Sequence, residues 1–188
     1  MAKAALSRYT EENYKMKKPY IICHMMTSID GRIDCAMTSK LSGVSDYYAT
    51  LDKINVPTTV SGRVTAELEM AEPGKFAASN TEIYGQEGFS KKADCAGYEV
   101  IVDTKGTLLW SDAADMEKPY LILTSENVTK EYLDYLDGHH ISWIACGKEK
   151  VKPCTCRRDS FRTVSCQKNG HYRRSKDKYC IFRGWIIR

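Results

Sequence analysis

The sequence predicts an α/β domain on a mostly parallel sheet, and three observations carry that expectation. The chain has 188 residues, a length that suits one domain. Its composition, 43% hydrophobic and 28% charged, is that of an ordinary globular protein in water. Short apolar runs rich in β-branched and aromatic residues alternate with segments of helical period, and strands alternating with helices pair in parallel through crossovers.

Residues 1–18 are polar and read as a loose arm. Residues 19–26 (PYIICHMM) are too short for a core helix and read as a buried strand. It leads into the polar loop Thr27-Ser28-Ile29-Asp30-Gly31-Arg32-Ile33, where Asp and Gly mark a turn. Residues 45–54 place Tyr47, Tyr48, Leu51 and Ile54 at helical spacing behind a Ser45 cap. Residues 56–61 read as a strand with Pro57 at its start, because proline has no N–H for a ladder. Residues 63–70 read as a short helix stopped by Pro73-Gly74, and residues 71–97, polar and glycine-bearing, as a long loop region. Residues 98–102 (YEVIV) and 119–124 (PYLILT) are two more strands. Val128, Tyr132, Tyr135 and Leu136 mark a helix that Gly138 closes in the left-handed conformation. Residues 140–146 (HISWIAC) form the next strand, and after Val151 neither period is sustained. Such a sheet binds ligands at the carboxyl ends of its strands.

Charge divides the chain unevenly. Residues 1–146 hold 15 Lys+Arg against 21 Asp+Glu, whereas residues 147–188 hold 13 against 3 together with Cys154, Cys156, Cys166 and Cys180. No apolar run approaches the ~20 residues that span a bilayer. The polar start reads as a chain without an export signal, hence a cytoplasmic protein with no membrane partner.

The segment PYIICHMMTSIDGRI resembles the opening strand and loop of the reductase domain of riboflavin biosynthesis, a dihydrofolate reductase-like family. The resemblance continues in order through Val60-Ser61-Gly62-Arg63-Val64-Thr65, YEVIVDTKG, PYLILTSEN and HISWIACGKEKV, and covers roughly residues 19–151. It implies a three-layer dihydrofolate reductase-like fold and an NADPH-dependent reductase acting on a ribosylamino-pyrimidine or a related small heterocycle. The cofactor would supply the hydride chemistry and the protein the groove that holds it. On this reading His24, Ser28 and Asp30 are the catalytic candidates, with His24 standing where many family members carry Lys. An imidazole there can hydrogen-bond substrate or pass a proton, and equally serve as a satisfied core residue. Ser61, Gly62, Arg63 and Thr65 are the cofactor-binding candidates of the first strand-to-helix turn, and Thr124 and Ser125 those of a second loop. The plain alternatives are an ordinary turn for Asp30-Gly31, a simple strand-to-helix turn for the Ser61-Gly62-Arg63-Val64-Thr65 segment and a helix cap for Thr124-Ser125. Family members commonly pair as homodimers.

The elements that the resemblance requires next are a helix, a buried strand ending in a Gly-Gly pair that binds cofactor phosphates, and a helix with a Leu-x-Glu-Ala-Gly-Leu signature. Residues 152–188 contain none of them. Reading each codon from Lys152 onward from its second base restores much of the pattern. Residues 152–156 then permit Asn-Leu-Ala-Arg-Ala, residues 170–174 permit Ala-Ile-Ile-Glu-Gly, and residues 181–186 permit Phe-Leu-Glu-Ala-Gly-Leu. Trp185 has the single codon TGG and every Ile codon begins with A, so the shifted codon must be GGA, which is the glycine of the signature. The expectation is a reductase-like domain over residues 19–151, truncated at its C-terminal end. Residues 152–188 would then be a poorly ordered out-of-frame tail without the closing sheet strands, and NADPH binding would be weak or absent.

A rival reading takes the tail as designed. Cys146, Cys154, Cys156, Cys166, His171 and Cys180 would ligate zinc, and Arg157, Arg158, Arg173, Arg174, Tyr172 and Trp185 would grip nucleic acid. Spacing disfavours it, since the close cysteine pair is C-x-C where structural zinc sites show two pairs at wider spacing. Neither a metal nor nucleic acid is therefore expected, and a disulfide framework is disfavoured in a cytosolic chain.

Overall fold

Runs of β-branched and aromatic residues pair side by side where the sequence places them. The computed structural model describes residues 21–33, 40–151 and 185–187. Its elements are β1 (Ile21–Cys23), α1 (Val44–Ile54), β2 (Thr58–Gly62), α2 (Arg63–Glu69), β3 (Gly88–Ser90), β4 (Glu99–Val102), β5 (Tyr120–Thr124), α3 (Lys130–Gly138), β6 (Ser142–Ala145) and β7 (Trp185–Ile187). One sheet has the order β1-β7-β2-β4-β5-β6-β3, parallel throughout except for the antiparallel β3–β6 edge. The α/β class and the mostly parallel sheet thus stand as read from the sequence.

The pleat sorts the central strands into two faces. Ile101, Ile122, Trp143 and Ala145 point toward one cluster, joined there by Ala66 of α2 and by Tyr132, Leu133 and Leu136 of α3. Their chain neighbours Val100, Leu121, Leu123 and Ile144 point the other way with Val60 and Tyr98. A side-chain period of two separates the faces, and burial on both explains why these strands read as near-continuous apolar runs. Truncating a fully buried residue such as Ile122 to alanine costs about 2–5 kcal/mol.

Several local expectations are corrected. Residues 71–97 are not loop throughout: β3 pairs with β6, and Gly88 in it lies against the Tyr84 ring, where a Cβ would come within 2.2 Å of the hydroxyl. α1 begins after Gly43 with no side-chain cap, so Ser45 lies inside its first turn. α3 is capped by Thr129, whose side chain accepts from the Tyr132 N–H at 3.3 Å. Gly138 is the last helical residue, and the positive φ falls on His140 at 55° instead. Ile141 N–H meanwhile bonds back to the Leu136 carbonyl. Pro57 precedes β2, and its carbonyl comes so close to Gly97 that a Cβ there would lie 1.7 Å away.

Two corrections concern the C-terminal part. Trp185–Ile187 lies parallel between β1 and β2, so the expectation that nothing after residue 151 joins the sheet fails for these residues. Cys146 is disulfide-bonded, against the expectation of a chain without such bonds. The N-terminal arm and residues 152–184, with Cys154, Cys156, Cys166, Cys180 and His171 of the zinc reading, lie outside the described residues. No described helix is long and apolar enough to cross a membrane.

Candidate functional site

The carboxyl ends of adjacent parallel strands leave a gap that their own connections must line. Here a cavity of about 440 Å³ opens beyond the ends of β2 and β4. Arg63, the first residue of α2, and Lys75 form one side, while Val102, Asp103, Thr104, Lys105 and Thr107 form the other. The volume is in the range of small-molecule sites.

The second wall is a turn that its sequence, Asp-Thr-Lys-Gly-Thr, builds locally. Gly106 adopts φ 66° and donates its N–H to the Asp103 carbonyl at 3.2 Å. Only glycine fits, since a Cβ would lie 2.4 Å from Cδ1 of Tyr132. The Asp103 side chain is wholly buried and accepts from the N–H groups of Thr107 (2.6 Å) and Leu108 (3.0 Å), the Thr107 hydroxyl (3.3 Å) and the Tyr132 hydroxyl (3.3 Å). A buried acceptor of this kind is stable because its donors are in place, three from the same turn and one from α3.

Helix α3 fixes this turn through aromatic hydroxyls. The Tyr132 hydroxyl accepts from the Trp110 indole N–H at 3.2 Å, and Tyr135 accepts from the Trp110 backbone N–H at 2.6 Å and donates to its carbonyl at 2.9 Å. Burial, and then the Asp103 carboxylate, push the Tyr132 phenol well above its ordinary range, so it stays a neutral donor. The first wall is tied to the second by backbone bonds: Glu72 N–H donates to Leu109 O and Phe76 N–H to Thr107 O, both at 2.9 Å. The Phe76 ring then packs 5.0 Å from Tyr132 and 4.9 Å from Tyr135.

Of the residues the sequence singled out, Arg63 alone lines the cavity, with its guanidinium paired to Glu67 one turn on. Gly62 ends β2 just before it, and Thr65 is half-buried on α2. Ser61 is buried on β2 beside Ile101, and its hydroxyl has no partner among the described residues. Thr124 and Ser125 neither enter the cavity nor cap α3. Their hydroxyls, with the Ser125 N–H, all donate to the Thr104 carbonyl at 3.2, 2.8 and 3.1 Å. Ser28 and Asp30 stand apart on an exposed turn, where the Ser28 hydroxyl donates to Asp30, Asp30 pairs with Arg32 at 3.0 Å, and Gly31 takes φ 80°. His24 stacks on Tyr47 of α1 with ring centres 4.5 Å apart and contacts its carbonyl at 3.2 Å.

Sequence reading missed Lys75 and Lys105, both exposed at the cavity, and the buried role of Asp103. The signal for the latter was present in Asp103-Thr104-Lys105-Gly106, a turn composition directly after a strand. Among the described residues Lys75 and Lys105 have no acidic partner, which leaves a cavity with cationic sides. No cluster of three metal-ligating side chains occurs among the described residues. Such a site can hold an anionic ligand against a preformed wall. Comparison of the chain with protein-family models, curated proteins and solved structures gives no match.

Proposed function

We propose that the chain carries the scaffold of an NADPH-dependent reductase of the dihydrofolate reductase-like, riboflavin-pathway type, acting on a small pyrimidine or related heterocycle. Its residues 152–188 would be the same gene read out of step. The observation that carries this reading is the cavity at the carboxyl ends of β2 and β4, with Arg63 and two lysines on its sides. Open α/β sheets place nucleotide ligands there, and an arginine is suited to phosphate through charge-assisted contacts. The family-order motifs of residues 19–151 give the reading its chemistry.

Within that scheme the bound cofactor supplies the hydride. The chain's own residues orient and neutralise: Arg63, Lys75 and Lys105 meet negative charge, and the Asp103 turn holds its wall rigid. The reading is tested by sequencing the gene across codons 148–156, then assaying NADPH oxidation with pyrimidine and pteridine substrates after the shifted frame is restored. The restored protein is expected to turn over NADPH, and the 188-residue chain to bind it at least tenfold more weakly. A restored protein that neither binds nor oxidises NADPH would overturn the reductase reading. Tight NADPH binding by the unrestored chain would overturn the out-of-step reading alone.

A further inference from the structure

We infer that the space between β1 and β2 is a strand-acceptor site, filled by residues 185–187 either of the same chain or of a second copy, so that two copies form a dimer by exchanging β7. This holds for the 188-residue chain whether or not it is a reductase. β7 is paired in parallel on both sides: Trp185, Ile186 and Ile187 stand opposite Ile21, Ile22 and Cys23 on β1, and opposite Thr58, Thr59 and Val60 on β2. Among the described residues β1 pairs with β7 alone. Neighbouring strands lie about 4.8 Å apart, so β1 and β2, with a strand's width between them, do not pair directly. Without an occupant both would present unpaired N–H and C=O groups, the feature that recruits a strand from another molecule. Whichever strand fills the slot thereby joins β1, with His24, Ser28 and Asp30 behind it, to the rest of the sheet.

Two features of the chain admit a second copy. The first is reach. The 33 residues 152–184 connect Val151 to β7, whereas the slot lies four strand spacings from β6, about 19 Å. A connection of that length can extend roughly 110 Å, so it does not confine the strand to its own slot. An exchanged strand makes the same two ladders as a resident one. The second feature is charge. Residues 147–188 carry 13 Lys+Arg against 3 Asp+Glu, and residues 1–146 carry 15 against 21. The cationic segment of one copy is therefore attracted by the anionic remainder of another, and it is this segment that delivers β7. A tethered strand competes for its own slot at a local concentration on the order of millimolar. Exchange accordingly grows as the protein is concentrated toward that range.

The test uses two full-length single variants, Thr59→Cys and Ile186→Cys, whose positions stand opposite each other on β2 and β7. Reduced, unfolded and refolded together, they can form a disulfide between positions 59 and 186 only across two copies. Peptide mapping by mass spectrometry after mild oxidation separates that bond from bonds of the native cysteines. The mixture is expected to yield the 59–186 link, at least about tenfold more of it when refolded near 1 mM than near 10 µM, and less as salt rises. Ile186→Pro, which lacks the N–H that position 186 gives to the ladder, should be monomeric by light scattering at a concentration where the parent chain is dimeric. A link that the double variant Thr59→Cys/Ile186→Cys forms and the mixture never forms would overturn the exchange and leave the slot to the chain's own strand. Its absence from the double variant as well would overturn the slot itself. A dimer undiminished in Ile186→Pro would put the interface on another surface and overturn the proposal too.

Discussion

Replacing Asp103 by alanine and by asparagine separates the carboxylate's charge from its geometry. Alanine leaves the Leu108 N–H buried without an acceptor, because Leu108 is 0% exposed. It also removes one of the Tyr132 hydroxyl's two acceptors, leaving the Leu108 carbonyl at 3.2 Å. The Thr107 N–H is half-buried and can recover water. A stranded buried donor costs about 1–3 kcal/mol. With the other two losses counted at the low end of that range, Asp103→Ala should destabilise by about 3 kcal/mol, roughly a 10 °C fall in melting temperature for a domain of this size.

Asparagine keeps an oxygen where Oδ2 accepts from Thr107 N, Leu108 N and Tyr132 Oη, and its amide can donate to the Thr107 hydroxyl, which then accepts. What it loses is the charge assistance, since bonds to ionised acceptors contribute about 1.5–3 kcal/mol against about 1 for neutral ones. Asp103→Asn should therefore cost about 1–2 kcal/mol. Urea unfolding followed by tryptophan fluorescence reports this directly, with Trp110 bonded into the same network. Equal losses for the two variants, or an alanine cost below about 0.5 kcal/mol, would show that the carboxylate does not organise the turn.

Two further outcomes follow from the same packing. Tyr132 has a folded-state pKa raised by burial and by Asp103 above its unfolded value of about 10. Its contribution is thus full below that pH and declines as pH rises, by about 1.4 kcal/mol per pH unit. The stability difference between wild type and Tyr132→Phe should shrink between pH 10 and 11 on this slope; a constant gap in urea midpoints would refute the assignment. Gly97→Ala should cost about 3 kcal/mol or more, because the added Cβ would meet backbone at Pro57, whereas Gly62→Ala, with nothing within 4 Å, should stay within about 0.5 kcal/mol. Comparable thermal shifts for the two would contradict the close approach.

The sheet was legible in the sequence because its strands are buried on both faces and so keep apolar residues at nearly every position, as in Val100-Ile101-Val102 and Leu121-Ile122-Leu123. What escaped was set by contacts between distant segments. β3, with the sequence Gly88-Phe89-Ser90, has no periodicity of its own and becomes a strand because Trp143-Ile144-Ala145 offers it an edge. Thr124 and Ser125 illustrate the same limit at the site. Their position after a strand marked them as important, but a hydroxyl there can cap a helix, meet a ligand or bind a carbonyl, and sequence spacing does not distinguish these. The choice was made by Thr104, twenty residues away in the chain, whose carbonyl comes within reach of both hydroxyls when β4 and β5 pair in register. The cavity follows from that same register. Pairing Val102 with Leu123 brings the β4 and β5 loops to one end, so that Thr124 and Ser125 of one loop hold the Thr104 carbonyl of the loop that lines the cavity. A motif search that looks for ligand contacts along one loop finds Arg63 and overlooks Lys105.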